Sequence, residues 1–137
     1  MARYEWRDSL TPKTIDAMNK AIADTAHRTG CELTILIDYS GNRERTAAVH
    51  SILTDTESTV PTEQLLRSRS WTGHLPELDL IIRTGAWTDP HNSAGFMSLL
   101  ADETQFSFPE LLWPEFKGEH LANIVDDFHA RERRHGK

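Results

Sequence analysis

Residues Asp79-Leu80-Ile81-Ile82-Arg83-Thr84-Gly85 run an apolar segment straight into an arginine, a hydroxyl and a glycine. A guanidinium in that place can grip a phosphate through two parallel hydrogen bonds. The Thr84 hydroxyl and the Gly85 amide could add donors. The competing reading is structural, with Arg83 paired to Asp79 or another carboxylate. A second junction of this kind is Asp38-Tyr39-Ser40-Gly41-Asn42-Arg43. There Asp38 could hold Mg2+ beside a phosphate, or serve as an Asx turn or helix cap. The sequence ends Arg131-Glu132-Arg133-Arg134-His135-Gly136-Lys137. Arginines in a last helical turn complement the helix dipole, and a basic tail with a glycine could also close over a diphosphate.

These residues need elements to hold them. Thr11-Pro12 starts a helix, with Thr as cap and Pro at its first position. Ile15, Met18, Ile22 and Ala26 then fall on one face, and Gly30 ends the helix. Glu32 to Tyr39 is short, aliphatic and β-branched, so it reads as a buried strand. A turn at Ser40-Gly41-Asn42 leads into a helix over 43–54, with Ala47, Ala48 and Ile52 inside. A short helix at 61–69 and a second strand at 78–82 follow. Residues 94–104 read as a helix that is apolar nearly all round and so buried on more than one side. A third, irregular strand covers 107–113. The last helix runs from Lys117 to Arg134 with Leu121, Ile124, Val125 and Phe128 on one face. Strands alternating with helices predict an α/β fold, a small mainly parallel sheet flanked by helices. In such sheets ligands bind beyond the carboxyl ends of the strands, where Arg83 stands. The expected organisation is an extension at 1–10 and one α/β domain over 11–137.

The bulk properties narrow the field. At 137 residues the chain fits one domain. Its net charge of −6 argues against general nucleic-acid binding. A single cysteine, Cys31, permits no internal disulfide and fits a reducing cytoplasm; with no His or acidic neighbour it reads as packing. No apolar run reaches the roughly 18 residues of a membrane span, and the charged start is unlike a signal peptide. The seven histidines show no metal-ligand spacing, and Ser93 and Ser98 lack a nucleophile-elbow context.

Arg83-Thr84-Gly85, Leu112-Trp113-Pro114-Glu115-Phe116, the tail Arg131 to Gly136 and the Tyr39-Ser40-Gly41-Asn42-Arg43 stretch occur in one order and spacing. Together they resemble the C-terminal half of a cis-prenyltransferase, the undecaprenyl diphosphate synthase group, over about residues 12–136. The resemblance implies half of that fold, and an enzyme family that adds isopentenyl diphosphate to an allylic diphosphate with Mg2+. It implies diphosphate binding by Arg83, Thr84, Gly85, Asn92 and His135. It also implies that Arg134 and Gly136, in an Arg-x-Gly tail, complete a partner's active site across an interface containing Phe96, Met97, Leu99, Leu100 and Phe106.

The departures are equally specific. The family's N-terminal half, with its Asp loop and the tunnel for the growing chain, has no counterpart. A second arginine after Arg-Thr-Gly aligns with Asn92-Ser93-Ala94, and a metal-linked glutamate aligns with Gln105 or Glu103. The expectation is therefore a small, catalytically incomplete subunit like the accessory subunits of heteromeric cis-prenyltransferases. Its partner would be a longer subunit that binds most of the Mg2+, with peripheral membrane contact through the lipid product. The alternatives are a non-catalytic regulatory remnant that only stabilises a partner, and a self-sufficient phosphate-binding enzyme using Asp38 and Arg83.

Overall fold

The computed structural model describes residues 10–55 and 62–131. Among the described residues, four helices and a two-stranded sheet follow one another: α1 (Pro12–Thr25), α2 (Gly41–Leu53), α3 (Glu63–Arg69), β1 (Leu80–Ile82), β2 (Gln105–Ser107) and α4 (Gly118–Ala130). The strands are parallel, with Leu80 opposite Gln105, Ile81 opposite Phe106 and Ile82 opposite Ser107. Parallel strands cannot be joined by a tight turn, so the 22 residues between them (83–104) form the long connection that carries the candidate site.

Three helix starts follow from local chemistry. The side chains of Thr11, Ser40 and Thr62 accept from Thr14, Arg43 and Leu65 amides, each three residues on. Pro12 occupies the first turn of α1. The core is small. Leu75, Met97 and Leu100 form its centre, with Leu36, Tyr39 and Leu78 packed against them, while Ala48, Ile52, Ile81 and Ala86 are also buried.

Four expectations are corrected. Residues 32–39, expected as a buried strand, make no ladder and are exposed over 32–35: a strand exists only where another backbone pairs with it, and among the described residues none does. Residues 94–104 are not a helix. A 3-10 turn at Ser93–Gly95 gives way to further turns, because Ala94, Gly95 and Met97 all have positive φ, of 50°, 63° and 45°. That stretch is apolar because Met97 and Leu100 plug the core. The third strand begins two residues before Ser107, and Trp113–Glu115 is a separate 3-10 turn. Finally, α4 stops at Ala130, since Arg131 is extended (φ −77°, ψ 140°). Its guanidinium turns back to Asp127 and to the Phe106 carbonyl, 3.2 Å away, and so fastens α4 to β2.

Two surfaces remain apolar and bare. No residue of α1 is buried, and Ile22 is 65% exposed. Leu33 and Ile35 are 83% and 69% exposed. Cys31 is exposed too, so it does not pack as expected. No described helix is long and apolar enough to cross a membrane.

Candidate functional site

Arg83 leaves β1 at its carboxyl end. Its amide prolongs the ladder by donating to the Ser107 carbonyl at 2.9 Å. Its half-buried side chain donates Nη1 to the His91 carbonyl. Among the described residues it has no carboxylate partner, so the structure gives no support to the Asp79 pairing. A guanidinium with one nitrogen on a carbonyl keeps its charge and its remaining donors for an anion.

The neighbours differ in what they offer. Gly85 sits at φ +70° and donates its amide to the Leu111 carbonyl at 2.8 Å. That amide is therefore spent on tying the loop after β1 to the segment after β2 and is not a free donor. The Thr84 hydroxyl makes no hydrogen bond to a described residue. The Asn92 side-chain amide donates to the Phe96 carbonyl at 3.1 Å, which pins the 92–96 turn.

That loop is braced from α2. A Cβ on Gly41 would stand 1.8 Å from the Gly95 carbonyl oxygen, so only glycine lets the start of α2 approach the turn so closely. Arg45 reaches across to Ser98 Oγ at 2.9 Å and also bonds Asn42 Oδ1. Beneath lies Glu44, 1% exposed. Its Oε1 accepts from the Thr72 amide at 2.7 Å and the Thr72 hydroxyl at 2.8 Å, and its Oε2 accepts from the Tyr39 hydroxyl. Tyr39 in turn accepts from the Met97 amide at 3.2 Å, and Phe96 meets its ring edge-on at 5.7 Å. Burial, then the Glu44 carboxyl, raise the Tyr39 phenol well above its ordinary pKa. Sequence reading missed Glu44, because a lone Glu in a first helical turn looks like a solvated, dipole-complementing residue.

The predicted site residues thus divide. Arg83, Thr84, Gly85 and Asn92 belong to the one connection after β1. Met97 and Leu100 lie in the chain's own core, whereas Phe96 is 36% exposed and Leu99 and Phe106 are half-buried. Arg134, His135 and Gly136 lie outside the described residues.

A metal does not fit the side chains seen here. Among the described residues no three His, Cys, Asp or Glu side chains cluster to hold one. Asp38, at φ +50°, faces the Arg43 guanidinium at 3.0 Å. Gln105, where the resemblance would set a metal-linked glutamate, is a neutral amide that accepts from Arg131 at 3.2 Å.

Comparison with known proteins identifies the family. The undecaprenyl diphosphate synthase family model of the prenyltransferases matches residues 4–136. The isoprenyl transferase of Bacillus cereus is 36% identical over 135 residues, covering 95% of this chain and 51% of the relative. That of Neisseria meningitidis is 33% identical over 131 residues, again covering 51% of its length. The chain therefore spans about half the length of the curated relatives it matches. In structure, it is similar to lavandulyl diphosphate synthase from Lavandula x intermedia, solved with dimethylallyl diphosphate. The TM-score is 0.82 at 21% identity, covering 96% of this chain and 57% of that one.

Proposed function

The chain belongs to the undecaprenyl diphosphate synthase (cis-prenyltransferase) family, and from that premise we propose that it supplies one part of a shared isoprenyl-diphosphate site. The reaction is condensation of isopentenyl diphosphate with an allylic diphosphate. The observation that carries this reading is Arg83: a half-buried guanidinium at the end of a parallel strand, with no described carboxylate to neutralise it. Arg83 grips the diphosphate of isopentenyl diphosphate, assisted by the Thr84 hydroxyl, while Gly85 shapes the turn and Asn92 fixes the loop behind it.

The unit is catalytically incomplete in this proposal. One arginine is too little to carry the charge that develops on a leaving diphosphate, and the described residues form no acidic set for Mg2+. A longer subunit with the Asp loop and tunnel provides both, so Mg2+ belongs mainly to that partner. Arg134, His135 and Gly136 act in trans. Arg134 adds positive charge at the partner's diphosphate, where the Gly136 amide approaches. Residues 11–137 act as a single α/β domain, and Phe96, Leu99 and Phe106 are the residues of the predicted interface that keep exposed surface.

Titration of isopentenyl diphosphate into wild-type, Arg83→Lys and Arg83→Ala chains tests the carrying residue. Charge-assisted hydrogen bonds contribute about 1.5–3 kcal/mol, so Arg83→Ala should weaken binding by roughly 10- to 100-fold. Arg83→Lys should recover only part, because a point charge cannot bond in parallel. Equal affinity in all three would refute the site. Deleting residues 132–137, which leaves Arg131 and its bonds to Asp127 and Phe106 in place, separates the shared-site reading from a purely stabilising one: the first expects lost turnover with the complex intact, the second unchanged turnover.

A further inference from the structure

We propose that Tyr39 and Glu44 are positioning residues for the anion site. Through the 92–98 turn they fix the place of the His91 carbonyl, and with it the direction in which Arg83 presents its guanidinium to a diphosphate. The inference rests on the diphosphate reading of Arg83 above and adds two residues that act only through others.

The turn is held in a conformation it would not keep alone. Ala94 and Met97 have φ of 50° and 45°, a left-handed backbone that residues with a Cβ adopt rarely and keep only where their surroundings impose it. The imposing contacts come from residues 39–45. The Tyr39 hydroxyl accepts from the Met97 amide at 3.2 Å, and its ring meets Phe96 edge-on. The Gly95 carbonyl abuts Gly41, and Arg45 holds Ser98 Oγ at 2.9 Å. Tyr39 is itself aimed by Glu44 Oε2, while Glu44 Oε1 is fixed by the Thr72 amide and hydroxyl at 2.7 and 2.8 Å. Glu44 is almost wholly buried, and hydrogen bonds in so dry a place are stronger than in water.

The turn leads to Arg83 in two short steps. The Asn92 side-chain amide donates to the Phe96 carbonyl at 3.1 Å, and the Phe96 amide donates to the Ser93 carbonyl at 2.9 Å, so residues 92–96 are tied into one unit. His91 immediately precedes that unit, and its carbonyl is the acceptor of Arg83 Nη1. A guanidinium is a rigid planar fork, so once one nitrogen is bonded the directions of its other donors are set. A shift of the Phe96–Met97 backbone therefore re-aims the face that Arg83 offers to an anion. Misplacement by about 1 Å is enough to weaken a parallel pair of hydrogen bonds.

Titration of isopentenyl diphosphate into wild-type, Tyr39→Phe, Glu44→Gln and Arg83→Ala chains tests the coupling, with each chain shown by circular dichroism to be folded at the titration temperature. Tyr39→Phe keeps the ring and removes the acceptor of the Met97 amide. It should weaken binding about three- to tenfold, the size of one net hydrogen bond. Glu44→Gln separates positioning from charge. Loss of a carboxylate would by charge alone tighten the hold on an anion. A glutamine amide, however, cannot accept at both ends, so it cannot serve Thr72 and Tyr39 together, and binding should weaken by a similar factor. In the Arg83→Ala background Tyr39→Phe should change affinity by less than about twofold, because residues that act through one another are not additive. Should either network variant fail to fold, Phe96→Leu loosens the same turn with both hydroxyl bonds in place, and the same coupled loss is expected of it. The positioning role is overturned by unchanged affinity in Tyr39→Phe, by tighter binding in Glu44→Gln, or by an undiminished effect of Tyr39→Phe on top of Arg83→Ala. Wild-type affinity in Arg83→Ala would sink the diphosphate reading itself and this inference with it. Weakened binding in Arg83→Ala beside an unaffected Tyr39→Phe would sink the positioning role alone.

Discussion

Residues 32–37 and 39–44 are separated in sequence by Asp38 alone and differ in almost every physical respect. The first six are open, with no described backbone partner and two large aliphatics in water. The next six contain a helix cap, a glycine in contact with another backbone, and a carboxyl group whose two oxygens accept three hydrogen bonds. The second region is complete because everything it needs comes from this chain: Thr72 from the end of α3, and Gly95 and Met97 from the loop after β1. The first lacks only a neighbour. Local order here tracks the availability of partners, more than the strength of any local preference, since the open segment has the stronger strand propensity of the two.

The largest effect is expected at Glu44. Replacing it with Ala leaves the Tyr39 hydroxyl, the Thr72 amide and the Thr72 hydroxyl without their acceptor in a buried place. An unsatisfied buried group costs about 1–3 kcal/mol, so Glu44→Ala should lower unfolding stability by about 3 kcal/mol or more. Urea denaturation measures it. A loss under 1 kcal/mol would mean that water reaches this network, and the contrast between the two regions would collapse.

A smaller effect, with a pH signature, is expected at Tyr39. Tyr39→Phe removes the donor to Glu44 and the acceptor of the Met97 amide, a cost of about 1–2 kcal/mol. The folded phenol holds its proton more tightly than the unfolded one, whose pKa is near 10. Above that value the unfolded chain releases the proton first, so stability falls as pH rises. The Tyr39 contribution is thus fully present below about pH 10. Denaturation midpoints taken at intervals from pH 8 to 11 should fall more steeply for wild type than for Tyr39→Phe. Parallel curves would show that the phenol is not held by its surroundings.

Much of the frame was legible in advance, and the failures share a cause. The helix starting at Thr11-Pro12 and the strand before Arg83 follow from local signals, a cap with a proline and a run of aliphatics, while the helix expected over 43–54 begins two residues earlier, at Gly41, under a Ser40 cap. Arg83 could be placed at a strand end for the same reason. What could not be read depends on contacts distant in sequence. The 94–104 stretch has the apolar character of a buried helix, yet Gly95 abuts Gly41 and the backbone turns left-handed at three residues. The Gly85 amide was expected as a donor to an anion, and its loss to the Leu111 carbonyl could not be read from the sequence. Glu44 was invisible because its importance lies in Thr72, 28 residues away. Residues 32–39 were read as a buried strand, yet they form no ladder among the described residues and Leu33 and Ile35 stand exposed, because a ladder needs a neighbouring backbone that the segment's own residues do not encode.

The smallest expected effect is therefore the most pointed. Leu33→Thr changes a residue that is 83% exposed and packs on nothing described, so the isolated chain should lose no more than about 0.5 kcal/mol, the usual range for surface substitutions. Threonine is β-branched where leucine is not, so strand propensity is at least preserved while apolar area is removed. The same change should raise the concentration at which the chain begins to self-associate, because an open edge with exposed aliphatics is what drives such pairing. Urea midpoints and light scattering across a concentration series read the two quantities separately. A destabilisation of 2 kcal/mol would mean that Leu33 is already packed within this chain. The difference between residues 32–37 and 39–44 would then be one of degree.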